Sequence, residues 1–215
     1  MVQTCPLGHL LQLSDRQGVE KMNKRLLSRL MHGRVAALKS SAGYFFRGDF
    51  EYVLRGVHFE YVPRGFYISN FRFPLFDFAG PNLLYSDRLH ERSGFIGKNE
   101  MSEEAIIDFV LSSPEARSAF DSAPMGISEF AQFLEAAPGL LRNSHGRLIH
   151  AATLVLLGQE SRAAGLLEDL VPALHPTDIT NCNLLRTKLQ QGPAEARALL
   201  EQVRVKNLRV LGVAV

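Results

Sequence analysis

The stretch from Tyr44 to Phe78 holds 13 of the 19 aromatic residues of this chain within 35 positions, and no other segment limits the fold as strongly. Tyr52 to Val62 and Phe66 to Phe78 are rich in β-branched and aromatic residues. Between them, Pro63-Arg64-Gly65 supplies a fixed φ and a permissive glycine, so the local expectation is a hairpin within a β-meander. Along the first strand, Val53, Val57, Phe59 and Tyr61 share one face, while Gly56, His58 and Glu60 share the other. The first face is expected to be buried and the second wet or partly covered. Phe73, Leu75, Phe76 and Phe78 make the second strand apolar on both faces near its end, so helices from elsewhere in the chain should cover it.

Helical spacing appears on both sides of this meander. Val19, Met22, Leu26, Leu27, Leu30, Met31, Val35 and Leu38 recur at three and four, with Lys21, Lys24, Arg25, Arg29 and Arg34 mostly between them. This spacing predicts an amphipathic helix over residues 15 to 40, capped by Ser14 or Asp15 and followed by Gly43. Its basic side is expected to be solvated. After the turn at Ala79-Gly80-Pro81-Asn82, Leu83 to Ser86 can add a short strand. The polar, glycine-interrupted run from Ser86 to Glu104 reads as a link. Ser102 then caps a helix that stops at Ser113-Pro114, a shorter helix runs to about Phe120, and Ser128 to Ala137 is helical. Leu148 to Leu157, Ser161 to Leu174, Asn183 to Leu189 and Pro193 to Val203 complete the helical part. The apolar tail from Leu208 to Val215 must bury itself, as an edge strand or against the helices. The fold class expected is therefore α+β: an N-terminal helix on an antiparallel β-meander (1–100), followed by an all-helical part (101–215).

The segments GQESRAAGLLEDL and GPAEARALLEQV align at a period of about 34 residues. With Ala151 and Ala163 at small-residue positions, Leu167 and Leu170 at large ones and Pro176 just past the helix, the last 70 or so residues resemble tetratricopeptide-type helical hairpins. That resemblance implies a packed helical layer offering a surface to peptides or proteins; ordinary helical hairpins account for the same pattern.

Composition narrows the function classes. An apolar content of 46% is enough for a core. No segment approaches the roughly 18 unbroken apolar residues of a membrane span. The N-terminal stretch has no basic region before its short apolar run and no convincing cleavage site, so no secretory signal is expected. Cys5 and Cys182 match no metal or redox spacing, so a reducing cytoplasm is the expected location. Residues 1–100 carry 14 Lys+Arg against 9 Asp+Glu and residues 101–215 carry 10 against 13, giving balances of +5 and −3. Such a bipolar chain can present its two faces to a protein partner.

No constellation for catalysis stands out. There is no G-x-S-x-G elbow and no phosphate-cradling glycine loop, so no cofactor is expected. His58 and Glu60 share a strand face but are only two ligands, and His145 and His150 diverge, so no metal site is expected. Asp49 and Glu51 also share a face, where an ion pair with Arg47 or Arg55 explains them more simply than acid–base chemistry. Arg64 to Phe71 resembles the RNP1 motif of RNA-recognition domains in its R-G-F start and its eighth-position aromatic, departing from it at Tyr67 and Ile68. That resemblance implies exposed rings that stack on bases.

The favoured expectation is a non-enzymatic protein that binds another protein. In general form the chain looks like bacterial immunity proteins that neutralise a cognate toxin, which implies a rigid scaffold with aromatic and arginine anchors. The expected anchors are Tyr52, Arg55, His58, Glu60, Arg64 and Tyr67 on the meander, with Arg142, Arg147 and Arg162 on the helices as a second set. The rival expectations are a single-stranded nucleic-acid binder using the meander's aromatic and arginine face, and a hydrolase whose residues come together only in three dimensions.

Overall fold

A computed structural model describes residues 23–89 and 94–213. The architecture is α+β, with an N-terminal helix, an antiparallel sheet and a helical C-terminal part. Helix α1 (Lys24–Arg34) starts where the Asn23 side chain accepts the Leu26 amide, and it buries Leu27 and Met31, four residues apart on one face. It ends well before residue 40. Ala37 takes φ +54° and turns the chain into strand β1 (Leu38–Ser41). Leu38 fits the helical period by number, yet it reaches the core from a strand. Residues 15–22 of the expected helix, its proposed caps at Ser14 and Asp15, and Cys5 lie outside the described residues.

Ala42 and Gly43, both with positive φ, join β1 to β2 (Tyr44–Arg47) in a two-residue turn of the hand that suits twisted strands. Gly43 therefore serves a hairpin and not the end of the helix. The central hairpin, β3 (Val53–Val62) and β4 (Gly65–Pro74), is paired in register from Val53↔Pro74 to Val62↔Gly65. The run read as a link holds two further strands: β5 (Ser86–Arg88) opposes Ser69–Phe71, and β6 (Phe95–Gly97) opposes Gly65–Tyr67. Both lie on the free side of β4, and every pairing is antiparallel. These strands are short and partly polar, so their extended form comes from β4's hydrogen-bonding edge rather than from their own propensity.

The helical part opens with α2 (Glu103–Ser112) and α3 (Pro114–Asp121), capped by Ser102 and Ser113. It continues with α4 (Ile127–Ala136), α5 (Pro138–Arg142), α6 (Ser144–Leu156), α7 (Glu160–Leu170), α8 (Pro176–Gln191) and α9 (Pro193–Val210). Helices α6 with α7 and α8 with α9 pack as neighbouring pairs.

The sheet alternation divides the core. Val57, Phe59, Phe66 and Ile68 point to the face covered by α1, α2 and α3, where Ile106, Ile107, Val110 and Phe120 join them. On the opposite face Tyr44, Phe46, Leu54, Phe71 and Phe73 share a cluster with Leu208, Leu211 and Val213. The apolar tail thus docks on the sheet. A turn at Gly212 (φ +67°), closed by the Val213 amide bonding to the Leu208 carbonyl, folds the chain back at the end of α9. A third cluster joins Val53, Phe76 and Tyr85 to α4, α6, α7, α8 and α9. Among the described residues no helix is long and apolar enough to cross a membrane.

Candidate partner-binding face

The tail covers only part of its sheet face. Beyond it, the register aligns two lateral rows of side chains: Tyr44, His58, Ser69 and Arg88 in one, and Glu60, Tyr67 and Phe95 in the next. Directly opposed residues of antiparallel strands project to the same side, so these seven share a single surface.

Arg88 organises that surface. Its guanidinium carbon lies 4.0 Å from the centroid of the Tyr67 ring, and its Nη2 donates to Glu60 Oε2 at 2.9 Å. Phe95 also packs on Tyr67, with centroids 4.9 Å apart and the rings tilted by 53°. The Arg88 and Glu60 side chains remain 44% and 42% exposed, so the pair contributes little stability but holds the guanidinium in one place. The next row is sealed, with His58 and Ser69 buried. The Tyr44 ring lies over His58 at 4.2 Å between centroids. Burial lowers the His58 pKa, against an upward pull from Glu60 and a backbone hydrogen bond to Ala42 and a further downward push from Arg88. Burial likewise raises the Tyr44 phenol, with Glu60 adding to the shift. At neutral pH the floor of this face is uncharged, and its charge sits in the Glu60–Arg88 pair.

The six expected anchors do not form one surface. His58, Glu60 and Tyr67 come together as described, with His58 beneath the others. Tyr52 is half-buried, packing on Phe76 with Arg204 over its ring. Arg55 projects to the opposite face and donates to the Ala123 carbonyl. Both bind the sheet to the helices. Arg64 is exposed in the turn between β3 and β4. Of the second set, Arg162 is held by Gln159 and Glu135, and Arg142 is exposed at the end of α5. Sequence reasoning missed Arg88 and Phe95, since both lie in the run taken for a link.

The rings of the RNP1-like segment are not available for stacking. Phe66 and Phe71 are 0% and 1% exposed, and Tyr67 already carries Arg88 on its face.

The chemical groups of the helical part assemble into a different device. His145, on α6, lies between two acids that are remote in sequence. Its Nε2 bonds to Asp77 at 2.9 and 3.1 Å, and its Nδ1 bonds to Asp178 Oδ1 at 3.0 Å. Asp77 is fully buried and also accepts from the Ala79 amide and the Asn82 side chain. Asn207 donates to the Leu75 and Asp77 carbonyls from α9. Burial pushes the His145 pKa down, but the hydrogen bonds and charges of Asp77 and Asp178 outweigh it and raise the value to about 9. Both ring nitrogens are occupied, so this imidazole has no free position from which to exchange a proton with a substrate. It ties the loop after β4 to α6 and α8.

No cluster of three or more His, Cys, Asp or Glu residues suited to a metal occurs among the described residues. Cys182 is buried in α8, where burial raises its thiol pKa, with Arg186 pulling it down and Asp178 adding to the rise. Such a thiol is a poor nucleophile. Compared with known proteins, the chain matches no protein family, no curated sequence and no solved structure.

Proposed function

We propose that this chain is a non-enzymatic binding protein whose partner is another protein, engaged through the Glu60–Arg88–Tyr67–Phe95 face. The observation that carries this reading is the pre-ordered Arg88. Tyrosine and arginine dominate the energetics of protein interfaces, and an arginine already stacked and paired loses little conformational freedom on binding. The face is small, rigid and amphipathic, bounded by the buried row of Tyr44, His58 and Ser69. A toxin-neutralising protein is one specialisation of this reading, because inhibition requires only a rigid complementary surface.

The nucleic-acid reading draws less support. Single-strand binders need open aromatic platforms, whereas Phe66 and Phe71 are buried and Tyr61 and Tyr67 carry a cation on the ring.

Capture from the native host at moderate salt tests the proposal. The full chain is expected to retain one stoichiometric protein. The double variant Y67A/R88A, at a half-buried tyrosine and an exposed arginine, is expected to weaken retention at least about tenfold while still unfolding cooperatively, with R88A alone weakening it in the same direction. Equal retention by the variant would remove this face from the interface. Retention of nucleic acid alone would overturn the reading.

A further inference from the structure

Around the end of the central hairpin lies an open groove of about 630 Å³, within the size range of ligand sites. It is walled by the start of α1 (Asn23, Lys24, Arg25), by Tyr61, Val62, Pro63 and Gly65 of the hairpin, and by Lys98 after β6. Its lining combines an apolar floor with three cations and no carboxylate. Arg64 adds a fourth cation beside it, exposed in the same turn. Two acids bordering it accept from backbone amides, Glu103 from Asn23 N at 3.0 Å and Glu100 from Gly97 N at 2.8 Å. Lys24 caps the Tyr61 ring at 4.0 Å. Among the described residues, the side chains of Arg25, Arg64 and Lys98 form no ion pair with an acid.

From this charge complementarity we infer that the groove receives an acidic, apolar-bearing peptide segment of the partner protein. The inference rests on the protein-binding reading above and extends it to the other side of the same hairpin. Carboxylates would meet Arg25, Arg64 and Lys98, and an aliphatic side chain would lie on Val62 and Pro63. A nucleic acid fits the groove less well, since Lys24 occupies the one ring face a base could use. A second groove, lined from α1, β2, α2 and α3, is less suited: two of its three arginines, Arg34 and Arg47, already pair with Asp108 and Asp49, and the carboxylate of Asp121 stands in its lining.

Panning the full chain against a displayed library of random dodecapeptides at low salt is the test. Peptides combining Asp or Glu with aliphatic residues are expected to be enriched. The consensus peptide should bind R25E/K98E at least about tenfold more weakly, and its affinity should fall as salt rises. Both substitutions are on exposed side chains, and a glutamate in the first turn of α1 favours the helix. Enrichment without acidic bias, or equal binding by R25E/K98E, would overturn the proposal. So would binding of a mixed-sequence DNA oligonucleotide, lost in R25E/K98E, when no peptide binds. A photo-reactive residue at Pro63 that cross-links to residues 1–22 of its own chain would also overturn it, by giving the groove an internal occupant. If the host partner is released by Y67A/R88A but not by R25E/K98E, the groove proposal fails alone; if neither variant releases a partner and no peptide is enriched, both readings fail.

Discussion

Replacing His145 with alanine is expected to cost about 3–5 kcal/mol, because it leaves the buried Asp77 carboxylate without its cation. Asp77 has no exposed surface, so water cannot stand in for the imidazole without opening the junction between the sheet and the helices. For a chain of this length the loss corresponds to a drop in melting temperature on the order of 10 °C. Exposed ion pairs such as Arg47–Asp49 and Arg88–Glu60 should cost no more than about 1 kcal/mol when broken. The double variant D77N/H145Q removes both charges together and should lose less than the sum of its single changes. Additive losses would show that these two side chains act independently.

The same cluster predicts how stability depends on pH. The His145 pKa is about 9 in the folded chain against an ordinary 6.5, so the folded state holds this proton more tightly than the unfolded one. The contribution is fully present below about pH 6.5 and is lost as pH rises through about 9. With the side chain 15% exposed, its size is on the order of 2–3 kcal/mol. Urea midpoints should fall between about pH 6 and about pH 9.5 in the native chain, and H145Q should flatten that slope. A slope that H145Q leaves unchanged would place the titrating group elsewhere.

Much of the fold is legible in the sequence wherever local pattern and tertiary role agree. The β3–β4 hairpin is visible because alternation, aromatic content and the Pro63-Arg64-Gly65 turn all point the same way. Most helices from α2 onward follow from the cap at Ser102 and from glycine and proline stops. But α5, which has no side-chain cap, is not visible, α8 begins at Pro176 rather than Asn183 because that proline opens the helix, and α9 runs past Val203 to Val210. Strands β5 and β6 are not visible, since three polar or mixed residues carry no period, and only an unpaired edge on β4 makes them strands. The end of α1 was obscured because Val35 and Leu38 continue a helical spacing by coincidence. The candidate face was half-legible: alternation places His58 and Glu60 together and the aromatic run points to Tyr67, while register alone adds Arg88 and Phe95. The Asp77–His145–Asp178 cluster was invisible, as its members stand 68 and 33 residues apart and meet only when the loop after β4 docks on the helices.

Substituting Gly56 should be the most damaging single change in the sheet. Gly56 lies in the middle of β3 opposite Phe46, and a Cβ there would come within 1.9 Å of the Phe45 carbonyl oxygen and 3.1 Å of the Phe46 Cα. Both are backbone atoms of β2, so no rotamer change relieves the clash; β2 must separate from β3. Separation would expose Phe45 and Phe46, buried on opposite faces, and would lift Tyr44 from His58. G56V is therefore expected to cost at least about 4 kcal/mol and to abolish partner capture through loss of the face's floor. Gly33 offers the contrast: nothing lies within 4 Å of its Cβ position, and it stands inside α1. G33A should raise stability by about 0.5–1 kcal/mol and leave capture unchanged. Circular dichroism melts of the two variants, read beside partner retention, decide the matter. A folded G56V that still holds the partner would mean that β1 and β2 can leave the sheet without disturbing the binding face.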